Sequence, residues 1–187
     1  RTSGWTGVGA LIAAVVLAWS IVALAAARET VELSGETVEY DVERRVSVVT
    51  GGPGTPATLV SGKLNLSGAR LEYNATTGQV KAEGGVRLEQ TEPDRVVATA
   101  RTLTADVKAR TAVLQGDVRI VSGKAVATAA QARFDSKGRQ VTLSGSPEVR
   151  LEENVLRAKE VVFFLAEQKV RASGGSQAQV LLPEKEE

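Results

Sequence analysis

Apolar and polar residues alternate over Thr30 to Tyr40, Lys63 to Tyr73, Gln79 to Leu88, Ala112 to Val121, Gln140 to Leu151 and Glu160 to Ala172. A period of two puts successive side chains on opposite faces of an extended strand, so each run predicts a strand with one buried face and one wet face. Residues that reverse a chain separate the runs: Asn74 to Gly78, Ser122 to Lys124, Asp135 to Gly138, and Asn154. VKARTA and FLAEQK have a helix-forming composition, but they occupy the place that NATTG and DSKG fill elsewhere, and that register predicts turns for them too. Two prolines and three glycines between Gly51 and Thr58 predict a loop, and Glu92-Pro93-Asp94 predicts another solvent turn. The chain from Arg28 onward therefore reads as almost entirely β.

The strands come in a repeat. Aligned copies read VEYDVERRVSVVTG, LEYNATTGQVKAEG, LTADVKARTAVLQG, ARFDSKGRQVTLSG and VVFFLAEQKVRASG, beginning at Val38, Leu71, Leu103, Ala132 and Val161. They close on Gly51, Gly84, Gly116, Gly145 and Gly174, at intervals of 33, 32, 29 and 29 residues. Such a period marks stacked supersecondary units, each burying its apolar face against its neighbours. Asp41, Asn74, Asp106 and Asp135 recur at one position of the repeat, where turn capping accounts for them.

Before the repeats, Val8 to Ala27 is an uncharged run of 20 apolar and small residues. As a helix it spans roughly 30 Å, the thickness of a bilayer's hydrocarbon core. Residues 1–28 are expected to form one N-terminal transmembrane helix, with the N-terminus inside and the rest exported; a cleaved export signal ending near Ala27 is the alternative. Residues 29–183 then form one β domain, followed by the charged tail 184–187. At about 150 residues, such a domain is large enough for one sizeable core.

Composition narrows the chemistry. Lys and Arg number 23 against 22 acids, for a net charge of +1, so no bulk field recruits nucleic acid. With no His and no Cys, the commonest general base, the usual soft metal ligands and thiol nucleophiles are missing. A carboxylate-only hydrolase needs two acids converging in a cleft, and the adjacent Glu152 and Glu153 would face opposite ways in a strand. No catalytic residue, metal site or cofactor is expected. Aromatic content is only 4%, so Val, Leu and Ala must supply the interior. Such an interior either closes two sheets tightly or leaves a long apolar trough between them.

The phrase A-x-x-φ-x-[YF]-[DN], a turn, then φ-x-φ-x-G-x-φ-x-φ occurs here as GARLEYNATTGQVKAEGGVRL and QARFDSKGRQVTLSGSPEVRL. It resembles the OstA-like family of envelope proteins, which includes the periplasmic lipopolysaccharide-export proteins LptA and LptC. The stretch AKEVVFFLAEQKVRASGGSQAQVLLP is similar to the closing segment of the LptA branch, whereas a retained N-terminal helix is the LptC arrangement. The resemblance covers nearly the whole chain after Arg28.

It implies an antiparallel β-jellyroll, a V-shaped roll of repeated hairpins, whose apolar interior shelters the acyl chains of lipopolysaccharide while the sugars stay in water. It also implies edge-to-edge joining of such rolls into a bridge from the inner-membrane ABC transporter toward the outer membrane. Burying an acyl chain of about twelve carbons gains on the order of 10 kcal/mol before opposing terms, at about 0.8 kcal/mol per methylene. The lipid-binding residues are then expected to be Leu71, Tyr73, Val86, Leu88, Leu103, Val118, Ile120, Phe134, Val149, Leu151 and Phe163. Arg87, Arg119 and Arg150 lie on the opposite faces of their strands, either as rim contacts for lipid phosphates or as ordinary solvated residues. A structural envelope roll without lipid cargo is the other reading.

Overall fold

A computed structural model describes residues 31–91, 95–135, 137–164 and 169–179. The expected N-terminal helix, the Glu92-Pro93-Asp94 turn, most of the FLAEQK turn and the charged tail lie outside the described residues. Among the described residues the chain is all-β and antiparallel, with sixteen strands and no helix long and apolar enough to cross a membrane.

The strands are β1 (Val31–Ser34), β2 (Thr37–Asp41), β3 (Val46–Thr50), β4 (Ala57–Ser61), β5 (Leu64–Gly68), β6 (Arg70–Asn74), β7 (Gln79–Gln90) and β8 (Val96–Asp106). They continue as β9 (Thr111–Ser122), β10 (Ala125–Asp135), β11 (Gln140–Ser144), β12 (Glu148–Leu151), β13 (Asn154–Arg157), β14 (Glu160–Phe164), β15 (Lys169–Ser173) and β16 (Gln177–Gln179).

Four of these strands, β7 to β10, are long and serve two layers at once. Residues Gln79 to Glu83 of β7 pair with β6, while Leu64 to Ser67 of β5 pair with its second half, Arg87 to Gln90. At the other side, β10 pairs through Gln131 to Asp135 with β11 and through Ala125 to Thr128 with β12. The sheet thus forks on both sides of the long strands. One layer runs β2-β3-β6, the four long strands, then β11-β14-β15; the second runs β1-β4-β5, the other halves of the long strands, then β12-β13-β16. A crease separates the halves, marked by register shifts between Glu83 and Val86, Thr99 and Thr102, and Ala129 and Gln131.

The repeat glycines make the crease. Gly145 has φ +79°, and a Cβ on it would lie 2.4 Å from the Ala130 Cβ of the neighbouring strand; Gly84 stands in the same relation to Ala69. Only a residue without a side chain permits that backbone and that approach. At four of the five repeat glycines, Gly84, Gly116, Gly145 and Gly174, the next residue is also left-handed, as at Asp117 and Ser146, and two successive left-handed residues bend a strand as a bulge does. The creases explain why the alternating runs from Thr30, Lys63 and Gln140 are each split, at Gly35-Glu36, at Ala69 and at Gly145-Ser146-Pro147.

Three local expectations are corrected. The loop of Gly51 to Thr58 is shorter, because Ala57 and Thr58 already belong to β4, and Gly52 bridges Thr55 across its tip. The reversal placed at Asn154 falls on Glu152 and Glu153, since Asn154 already pairs with Leu151 in the β12/β13 ladder. Glu152 and Glu153 are therefore turn residues rather than strand residues, and Glu152 is held by Lys124 at 2.5 Å. The VKARTA stretch does turn, between β8 and β9, as its register requires.

Candidate functional site

Register sets which side chains meet inside the roll. In the first layer, directly opposed partners form one row across ten strands: Val38, Val49, Leu71, Ala82, Leu103, Leu114, Ala132, Leu143, Val161 and Ala172. A parallel row two residues further out runs from Tyr40 through Ser47, Tyr73, Val80, Ala105, Ala112, Phe134, Val141 and Phe163 to Val170. Across the gap, the second layer supplies Leu33, Leu59, Leu66, Leu88, Ala98, Ile120, Ala127, Val149, Leu156 and Ala178. Apart from exposed Val38 and Tyr40 and from Ser47 and Ala178, these rows belong to one hydrophobic cluster, so the layers face each other.

All eleven expected lipid-binding residues are on these inner faces. Leu71, Tyr73, Leu103, Phe134 and Phe163 come from the first layer, and Val86, Leu88, Val118, Ile120, Val149 and Leu151 from the second. Nine are fully buried, while Tyr73 and Leu151 are partly buried. Of the two outcomes open for a small-aliphatic interior, the middle of the roll takes the closed one: these side chains pack on each other instead of lining an open trough. Ala at 82, 98, 105, 112, 127 and 132 lets the layers approach closely.

The interior is exposed at one end. Val38 and Tyr40, at the head of the two first-layer rows, are 53% and 56% exposed, and Val42 in the following turn is 74% exposed. These are the large hydrophobic side chains left in water among the described residues. The alignment of the repeats contained the signal for Val38, which stands in register with buried Leu71, Leu103, Ala132 and Val161. A cleft of about 450 Å³ adjoins this end on the outward side, lined by Glu39, Asp41, Val46, Val48 and Glu72 with Tyr40 and Arg44.

At the rim of the second layer the inner face turns polar. Ser61, Gln90 and Ser122 are buried there beside Leu64, Val96, Ala125 and Leu151. Strand alternation alone did not single them out, because they continue apolar rows.

The outward faces carry ion pairs. Glu89 accepts from Arg95 at 2.8 Å and from Arg87 at 3.1 Å, and Glu148 accepts from Arg150 and, at 2.6 Å, from Arg157. The Arg95 hydrogen bond is the main reason the Glu89 carboxyl sits below its ordinary value, and the Arg150 hydrogen bond does the same for Glu148. Arg87 and Arg150 are thus outward, as expected, and already hold intramolecular carboxylates. The recurring Asp and Asn residues cap their turns: backbone N–H groups of Arg44, Thr77, Ala109 and Gly138 donate to Asp41, Asn74, Asp106 and Asp135 at 2.7 to 2.9 Å. Among the described residues no cluster of acids is arranged to hold a metal ion.

No family profile and no curated protein matches this chain. Among solved structures it is similar to LptH, the LptA-homologous periplasmic component of the lipopolysaccharide transport device of Pseudomonas aeruginosa. The identity is 15% and the TM-score 0.48, over 83% of this chain and 96% of that one.

Proposed function

We propose that this protein is a non-enzymatic component of lipopolysaccharide transport in the cell envelope. The roll takes lipid A acyl chains between its layers and passes them along a bridge of rolls joined edge to edge, from the inner-membrane ABC transporter toward the outer membrane. The observation that carries the reading is the pair of rows that cross the ten strands of the first layer, one apolar throughout and the other apolar except at Ser47, and emerge uncovered at Val38 and Tyr40. A row buried in the middle and bare at its end suits cargo that enters endwise and is handed on. The repeat phrase supports the same reading.

Partners would add at the ends of the layers. Among the described residues, β1 and β2 at one end and β15 and β16 at the other each pair on one side only. Strand addition there satisfies the free backbone groups and continues the apolar rows into the next subunit. The segment of residues 1–28 would fix the first roll to the inner membrane, or be removed to leave a periplasmic middle segment; intact mass of the protein taken from membranes decides between them.

The closely packed middle favours a second reading, a structural roll without cargo. Site-specific photo-crosslinking separates the two. With a crosslinker at Tyr40, Leu88, Ile120, Phe134 or Phe163, the carrier captures lipopolysaccharide, and at Arg87 or Arg119 it does not. Equal labelling of both faces, or none at any inner position, removes the carrier reading.

A further inference from the structure

Four hairpins of the first layer turn at its outer lip with one backbone pattern. Each opens on a capping Asp or Asn and ends four residues later at positive φ: Arg45 at 53°, Gly78 at 77°, Arg110 at 61° and Arg139 at 49°. Glycine adopts this conformation freely and Asn tolerates it, whereas another L side chain pays roughly 1 kcal/mol or more. Folding alone would therefore place Gly or Asn at these ends. Arginine stands at three of the four, and strain repeated with one residue type at one position points to use of the side chain.

The same turns also carry Arg44, Lys108 and Lys137. Successive hairpins are two strands apart, about 10 Å, so their charges line the lip rather than cluster. Arg45, Arg110 and Lys137 are exposed and have no ion pair among the described residues. Lys108 donates to the Thr76 carbonyl, a neutral partner. Arg44 is itself paired with Asp41 of its own turn at 3.8 Å, and on the second layer's lip Lys124 is held by Glu152 at 2.5 Å and Arg95 by Glu89 at 2.7 Å. Set against Asp41, Glu43, Asp106 and Asp135, the six basic residues of these four turns leave a modest excess of positive charge along one side of the apolar interior.

We infer that this row of hairpin-tip arginines binds phosphate groups on the head of an amphiphile whose chains lie between the layers. The inference rests on the carrier reading and adds the lip on which the head group sits and the chemistry that recognises it. A guanidinium presents paired N–H donors that match two phosphate oxygens, which a solvated lysine row would not select as sharply.

The test uses Arg45→Asn, Arg110→Asn and Arg139→Asn combined, because Asn removes the charge while suiting the backbone. The triple variant is expected to melt at or above the wild-type temperature and to bind lipopolysaccharide about tenfold or more weaker, with a shallower salt dependence. Phosphatase-treated lipopolysaccharide should bind wild type and variant alike. Undiminished binding of untreated lipopolysaccharide by the variant overturns the inference and leaves the carrier reading standing. Wild type that binds neither form ends both. Inorganic phosphate binding to wild type alone, lost in the variant and with no preference for untreated over treated lipid, assigns the row to free anions and overturns the amphiphile assignment.

Discussion

Gly145 lies so close to Ala130 across the crease that a Cβ built on it would stand 2.4 Å from the Ala130 Cβ. Any side chain there must move a neighbouring strand in addition to adopting φ +79°. Gly145→Val is expected to lower the unfolding free energy by about 2–4 kcal/mol, the sum of backbone strain and overpacking. Gly123, at φ +54° with open space around it, supplies the control. Gly123→Ala should cost only about 1 kcal/mol. Urea denaturation of both variants checks the difference.

Burial separates the middle of the rows from their exposed end. Phe163 and Leu143 are completely inaccessible, and truncation to Ala at either site should cost about 3–5 kcal/mol through lost transfer energy and the cavity left behind. Val38→Ala, in the same row as Leu143, should cost less than about 0.5 kcal/mol because little apolar surface is exchanged there. If Val38→Ala destabilises as strongly as Leu143→Ala, β2 is covered in solution.

The turn caps are expected to contribute individually. Asp106 accepts the Ala109 N–H at 2.7 Å in a partly buried turn, and Asp106→Ala removes that acceptor. The loss should be about 0.5–2 kcal/mol, as for other capped backbone donors. Asp135→Ala, whose bond to Gly138 is exposed, should fall at the lower end. Thermal melts at neutral pH read the order.

Acid should weaken the roll through two carboxylates. Glu89 and Glu148 have folded values below their ordinary 4.5, so each contributes stability that is present above 4.5 and lost as pH falls through the lowered folded value. Both are at the surface, so the contribution is small. The Glu89→Gln, Glu148→Gln double variant should melt slightly below wild type at pH 7 and converge on it below pH 4. Lys124 runs the other way: the Glu152 hydrogen bond raises it above 10.5, so its contribution is present below 10.5 and lost as pH rises through the raised value. Melting temperatures across the two pH ranges check both signs.

Hairpins, the turns that open on Asp41, Asn74, Asp106 and Asp135, and the inward set were legible because alternation and the repeat point to the same answer at Leu71, Val118, Phe134 and Phe163. What alternation could not give was the division into layers. A period of two names the buried face of a strand but not which of two sheets the strand joins, and Val86 and Ala82 lie on one strand yet in different layers. The information sat in the glycines, whose meaning depends on a neighbour fifteen positions back, such as Ala69 for Gly84. β8 and β10 gave no clear alternating run because Ala and Thr fill both faces, as in Ala98, Thr99 and Ala100. Tight closure was equally hidden, since lining a trough and filling a core call for the same aliphatic residues.

The creased strands have a mechanical consequence. Because β7 to β10 run through both layers, their ladders stay paired on either side of the fold line, and the two leaves are joined like the halves of a spring clip. Prising the leaves apart flexes the fold line and separates aliphatic contacts, but breaks no rung of either ladder. On the proposed carrier reading, this is the movement by which a guest would enter between the leaves without unfolding either of them.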